Sequence, residues 1–183
     1  MRRKIVTGST STDVLSCTRQ SPTGTKAVSA SCSLFLVCIS MSGAAPSSSV
    51  RAIRCGSTSA GHRSPTDLLV VRNERRHLLG RTRLEGPADF VIEIASHSDP
   101  GLDIREKLPR YREAGVDEIW LVNPFEQVVR VEVREPGGYA AQRLSAGRLT
   151  SRVVPGFGIE VGWLWQERLP STLVCLREIL AAA

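Results

Sequence analysis

The sequence predicts an α/β fold, a mixed β-sheet with flanking helices, from three features. Short apolar runs suited to buried strands recur at residues 68–71, 90–94 and 119–122. Between the second and third, Ile104, Leu108 and Tyr111 recur at helical spacing. Residues 128–133 then alternate Val129, Val131 and Val133 against Val128, Arg130 and Glu132. Glu135-Pro136-Gly137-Gly138 turns this run into a partner over residues 139–144, the pattern of an antiparallel hairpin. The order strand, strand, helix, strand, hairpin gives a mixed sheet with a helix packed on it.

The 183 residues suit one domain plus a tail, and they divide by charge. Residues 1–60 hold seven Lys or Arg and one acid, Asp13, so this third carries the whole formal charge of +6. The remainder balances 17 basic against 17 acidic side chains, so the basic total says nothing about a nucleic-acid surface on the folded part. Residues 1–61 are rich in Ser, Thr and Gly and show no useful periodicity; they read as an irregular segment, disordered or mis-framed upstream. The folded domain is expected over residues 62–183.

Four of the five cysteines, Cys17, Cys32, Cys38 and Cys55, lie in that first segment without a C-x-x-C pair or a neighbouring His, which argues against zinc and against a disulfide framework. The apolar run at 34–39 is far too short to span a bilayer and too deep in the chain for a usual signal peptide. No membrane association and a cytoplasmic location are the expectation.

Order begins near Pro65, where Thr66-Asp67 leads into the first strand. Residues 72–86 are charged and read as a loop or hairpin. The run from Pro87 to Ser96, PADFVIEIAS, organises the rest. Alternation places Asp89, Val91, Glu93 and Ala95 on one face and Phe90, Ile92 and Ile94 on the other. A carboxylate among Val, Ile and Ala stays charged only if a cation or hydrogen-bond donors meet it. Glu93 therefore has a chemical task, or a plain role in which it pairs with an Arg or lies at a solvated sheet edge.

After a turn at residues 97–101, a helix is expected from about Asp103 to Ala114, stopped by Gly115. Pro109 conflicts with its middle, so the helix starts late or kinks there. The strand at 118–122 ends at Asn123-Pro124, a further extended segment covers 149–161, and Leu173, Leu176, Ile179 and Leu180 mark a terminal amphipathic helix.

Asp67 before one strand, Glu93 on its neighbour 26 residues on, and Lys107 in the following helix can converge at one end of the sheet. That set suits metal-assisted hydrolysis of a phosphodiester: two hard carboxylate ligands for Mg2+ or Mn2+, and an ammonium for the charge that builds on phosphate. A domain with this many acids offers other such triples, so composition alone does not select this one.

The runs PTDLLVV, PADFVIEIAS, Asp103-x-x-x-Lys107, Tyr111, AGVDEIWLVNP and VVPGFGIEV resemble, over about residues 62–166, the Uma-two family, a branch of the PD-(D/E)XK nuclease superfamily. The resemblance implies a restriction-endonuclease-like core and a Mg2+-dependent endonuclease acting on nucleic acid, with DNA the expected substrate; a homodimer follows only by analogy with nucleases that pair to cut both strands. It matches Asp67 to the acid of the PD motif and Glu93 to that of the (D/E)XK motif. The motif's lysine would fall at Ala95, and Lys107 is the match in its place. Asp89, on the strand face of Glu93, is a second-rank metal ligand. Family members begin with a helix and a Tyr-Glu-Leu-x-x-Gly-Glu hairpin whose glutamate joins the site, and residues 1–61 contain no match to it.

Simpler roles stand beside these. Asp67 suits a turn, Lys107 a solvated helix face, and Asp103 a helix N-cap. Tyr111 reads as core, Trp120 as a buried anchor, and Arg72, Arg75 and Arg76 as a solvated loop. His62, His77 and His97 lack ligand spacing. The competing function is a nuclease-fold module without activity that binds or dimerises.

Overall fold

The structure, a computed structural model, describes residues 15–16, 50–54, 66–80, 84–95, 101, 103–167 and 170–181. Seven strands form one sheet in the order β1 (Leu15–Ser16), β2 (Val50–Arg54), β3 (Leu68–Arg72), β4 (Phe90–Ile94), β5 (Glu118–Asn123), β6 (Val128–Glu135) and β7 (Gly138–Leu144). Neighbours run antiparallel except the parallel pairs β1–β2 and β4–β5, so the sheet is mixed as expected. β8 (Arg148–Thr150) and β9 (Gly158–Glu160) make a separate antiparallel ribbon. It accounts for the extended segment expected at 149–161.

β2 lies inside residues 1–61, which the sequence reads as irregular, and it extends the sheet beyond β3. Its run Val-Arg-Ala-Ile-Arg is flanked by Ser and Cys-Gly and is too short to register as a period. Apart from β1 and β2, that segment lies outside the described residues, as do His62 and His97.

Both faces of the sheet are covered, and the alternation of β4 divides them. Phe90, Ile92 and Ile94 join Leu68, Val70, Trp120, Val122, Val129 and Val131 on one face, where the β8–β9 ribbon and Trp163 close over them. Trp120 is fully buried, as expected, edge-on to Phe90 at 5.0 Å and stacked on Phe157 at 5.5 Å. Such aromatic pairs add about 1 kcal/mol each beyond their buried area. On the other face Val91 joins Leu69, Val71, Ile119 and Leu121 beneath helix α1 (Leu108–Ala114), which contributes Leu108 and Tyr111. Among the described residues no helix is long and apolar enough to cross a membrane.

Pro109 is accommodated by a late start. Asp103–Lys107 forms a wide π-helical turn, α1 proper opens at Leu108, and Pro109 falls in its first turn, where the missing N–H is not needed. Gly115 ends the helix at φ 79°, a left-handed conformation that glycine adopts without steric cost. The charged stretch after β3 forms a 3-10 turn, Asn73–Leu78, followed by a bridge between Leu79 and Leu84. The terminal helix α2 (Thr172–Ala181) is present; Leu173, assigned by spacing to the apolar stripe, is 59% exposed, and Cys175 is buried in the core.

Candidate active site

The site lies where the start of β3 meets the end of β4, beneath the beginning of α1. Glu93 points into the α1 face of the sheet and is fully buried. Its Oε2 accepts from Lys107 Nζ at 2.9 Å and from the backbone amide of Asp67 at 3.3 Å. Its Oε1 accepts from the Tyr111 hydroxyl, which also stands 2.9 Å from Thr66 Oγ1. Asp67 is half-buried at the mouth of this group, and its Oδ2 accepts from the Ile94 amide at 2.8 Å. The structure therefore brings Asp67, Glu93 and Lys107 together, as the sequence expects. It gives Lys107 a buried ion pair, its side chain 13% exposed, in place of a solvated helix face.

The local chain explains the convergence. Ladder pairing of Leu68 with Ile92 sets Asp67 beside Glu93. The π-helical turn before Leu108 is wider than an α-turn and ends on Lys107, which lies over the strand that carries Glu93. Lys107 and Tyr111 are four residues apart, a spacing that shares one helix face, and both reach Glu93.

Asp89 is not part of this group. It shares a strand face with Glu93 but lies four residues away, about 13 Å along an extended chain. Its buried carboxylate accepts from the Arg72 amide at 2.8 Å, from Arg72 Nη1 at 3.1 Å and from Arg75 Nη1 at 2.7 Å. Arg72 continues to Asp117 at 2.8 Å. Arg72 and Arg75, read as a solvated loop, thus neutralise the acid at the far end of β4.

Two other buried acids serve the fold. Glu118 accepts from Trp120 Nε1 at 2.8 Å, from the Ser151 hydroxyl at 2.7 Å and from the amides of Arg152 and Val153 at 2.9 and 3.0 Å, which fastens the β8–β9 connection to β5. Glu132 on β6 takes Arg130 at 2.7 Å and Arg112 of α1 at 2.5 Å, tying the helix to the sheet at its other end.

The site brings, among the described residues, the carboxylates of Asp67 and Glu93 to the ammonium of Lys107. Among the described residues no cluster of three or more His, Cys, Asp or Glu is placed to hold a metal. A pair of hard oxygen ligands, one of them half-exposed, nevertheless fits Mg2+ or Mn2+. Such ions commonly keep several waters and take one or two carboxylates together with substrate phosphate.

The fold is a mixed α/β sheet that gathers Asp67, Glu93 and Lys107 where the ends of its inner strands β3 and β4 meet the start of α1. The fold is similar to the crystal structure of a putative nuclease of DUF820 from Anabaena variabilis, with TM-score 0.61 and 19% identity over 80% of this chain and 84% of that one. At that identity the likeness is one of fold. The chain belongs to the Uma2 family, described as "Putative restriction endonuclease", whose model matches residues 20–164. The match reaches well ahead of residue 62, where the likeness read from motifs begins. No curated protein matches the chain.

Proposed function

We propose that this chain is a metal-dependent endonuclease that hydrolyses phosphodiester bonds of DNA, with Asp67 and Glu93 holding Mg2+ or Mn2+ and Lys107 beside them. The observation that carries this reading is the gathering of those three residues at the adjoining ends of β3 and β4 in a member of the Uma2 family. A cation held there would polarise the scissile phosphate and lower the pKa of water near it. Lys107 pairs with the buried Glu93 carboxylate and supplies positive charge where the pentavalent phosphate gathers negative charge. Water adds through oxygen to phosphorus, the ester P–O bond breaks, and the leaving oxygen departs with a proton.

A substrate path fits the same face. Ladder pairing lines up Glu93, Leu121, Arg130 and Arg143 across β4, β5, β6 and β7. At about 4.8 Å per strand, Arg143 stands about 14 Å from Glu93, within reach of the backbone of a bound duplex.

The test is Mn2+-dependent nicking of supercoiled plasmid by the full chain beside Glu93→Ala and Asp67→Ala. Cleavage by the parent and by neither variant supports the reading; metal-dependent cleavage by both variants overturns it. The absence of a third clustered acid among the described residues favours one second reading, a nuclease-fold module that binds or dimerises without cutting. It predicts a stable complex with nucleic acid or protein and no nicking in Mn2+.

A further inference from the structure

We infer that Tyr111 is a positioning residue for Glu93: its hydroxyl holds one carboxylate oxygen while Lys107 holds the other. The inference rests on the nuclease reading of the site and goes beyond the acid, acid, lysine set. Tyr111 is 6% exposed, and its ring lies in the apolar cluster with Val91, Leu108 and Leu121. A phenylalanine would fill that space equally well. The hydroxyl instead meets two polar partners, Glu93 Oε1 and Thr66 Oγ1.

The proton count orders these contacts. A phenol has one proton, and it goes to the carboxylate; the Thr66 hydroxyl then donates to the phenol oxygen. The dipeptide Thr66-Asp67 thereby reaches both oxygens of Glu93, Oε2 directly through the Asp67 amide and Oε1 through Tyr111. Because Asp67 is the second acid, the same short segment sets the spacing of both carboxylates. Lys107 closes the π-helical turn and Tyr111 follows four residues later on α1, so this one segment fixes the rotation of the Glu93 carboxylate about its own axis. Partners of this kind tune the affinity of metal ligands by roughly 10- to 100-fold.

The experiment is calorimetric titration of Mn2+ into the full chain and into Tyr111→Phe without nucleic acid, with urea unfolding of each. The expected result is about tenfold weaker Mn2+ binding by the variant. Half-maximal nicking then moves to higher Mn2+ by a similar factor while KM for DNA holds, and added Mn2+ restores the rate. A residue serving only as core would change the urea midpoint and leave the Mn2+ dependence in place. Folded Tyr111→Phe with parental or tighter Mn2+ affinity overturns the role and leaves the nuclease reading standing. If Tyr111→Phe does not fold, Thr66→Val decides, since it removes only the donor to the phenol; a smaller weakening is expected, and parental affinity overturns the role. If the parent and Glu93→Gln bind Mn2+ alike, the metal site fails, and the positioning role fails with it.

Discussion

The backbone amide of Ile94 donates to Oδ2 of Asp67 at 2.8 Å. In return the amide of Asp67 donates to Glu93, the residue before Ile94, at 3.3 Å. The two acids are thus cross-linked through each other's backbone, and each depends on the register of β3 against β4.

This exchange separates charge from geometry at Asp67. Asp67→Asn keeps an oxygen that can accept from Ile94, so the fold is expected to survive with its urea midpoint little changed. Metal-dependent nicking is expected to fall by about a hundredfold or more, the scale of losing one charged group from a preorganised site. Near-parental nicking by a folded Asp67→Asn would remove Asp67 from the metal site.

Lys107→Ala leaves Glu93 buried with its ammonium partner gone. Breaking a buried pair from one side costs about 3–5 kcal/mol, and the small exposure of Lys107 puts the expected loss near 3 kcal/mol. Lys107→Ala combined with Glu93→Gln is expected to regain much of that stability and no activity. Urea unfolding of the two single variants and the double variant measures the coupling; additive losses would mean the pair is not the source.

The element order from β3 to the β6–β7 hairpin, the helix packed on the sheet and the stop at Gly115 were legible because each follows from local periodicity or turn chemistry; β2 was not, its five residues being too short to register as a period. The convergence of Asp67, Glu93 and Lys107 was legible too, through spacing and family motif. The function of Tyr111 was not, because a tyrosine at an apolar helix position looks the same whether its hydroxyl meets water or a buried carboxylate. The direction of Arg72 and Arg75 was hidden for a similar reason: a charged loop next to a strand gives no sign of which residue turns inward. Leu173 departs from its spacing, exposed while Cys175 two residues on reaches the core, because helical periodicity marks an apolar residue without saying whether a partner surface extends that far.

Asp89 is expected to behave as a structural acid. Asp89→Ala leaves Arg72 and Arg75 facing a buried gap and is expected to cost about 3 kcal/mol or more in urea unfolding. Its Mn2+ titration should match the parent. A weakened Mn2+ affinity with unchanged stability would return Asp89 to the site.

Tyr139 contributes to the alkaline limb of stability. Its hydroxyl donates to the Val116 carbonyl at 2.7 Å, and burial, the largest influence, pushes the phenol above its ordinary 10.0; Arg134 works against that. The folded chain therefore holds this proton at a pH where the unfolded chain releases it. The contribution is complete below about pH 10 and is lost as pH rises through the higher folded value. Tyr139→Phe should flatten the decline above pH 10 and cost about 1 kcal/mol at neutral pH for the lost hydrogen bond. An equally steep alkaline decline in the variant would place the titrating group elsewhere.

Arg143 tests the substrate path. It pairs with Glu126 at 3.0 Å, and both side chains are about three-fifths exposed. A pair so open to water contributes at most about 1 kcal/mol, so a phosphate can replace Glu126 at little cost. With charge balanced over the folded part, affinity for a duplex must come from local contacts of this kind, and each contributes to salt dependence. In EDTA, Arg143→Gln is expected to weaken duplex binding for all sequences and to reduce the slope of log affinity against log salt by about one. Glu126→Gln should tighten binding by freeing the guanidinium. Arg148→Gln, on the separate β8–β9 ribbon packed against the opposite face, should match the parent. Fluorescence anisotropy of a labelled duplex at four salt concentrations measures all three. A parental slope for Arg143→Gln would exclude this row as the path, and an equal loss in Arg148→Gln would mean diffuse charge rather than a track.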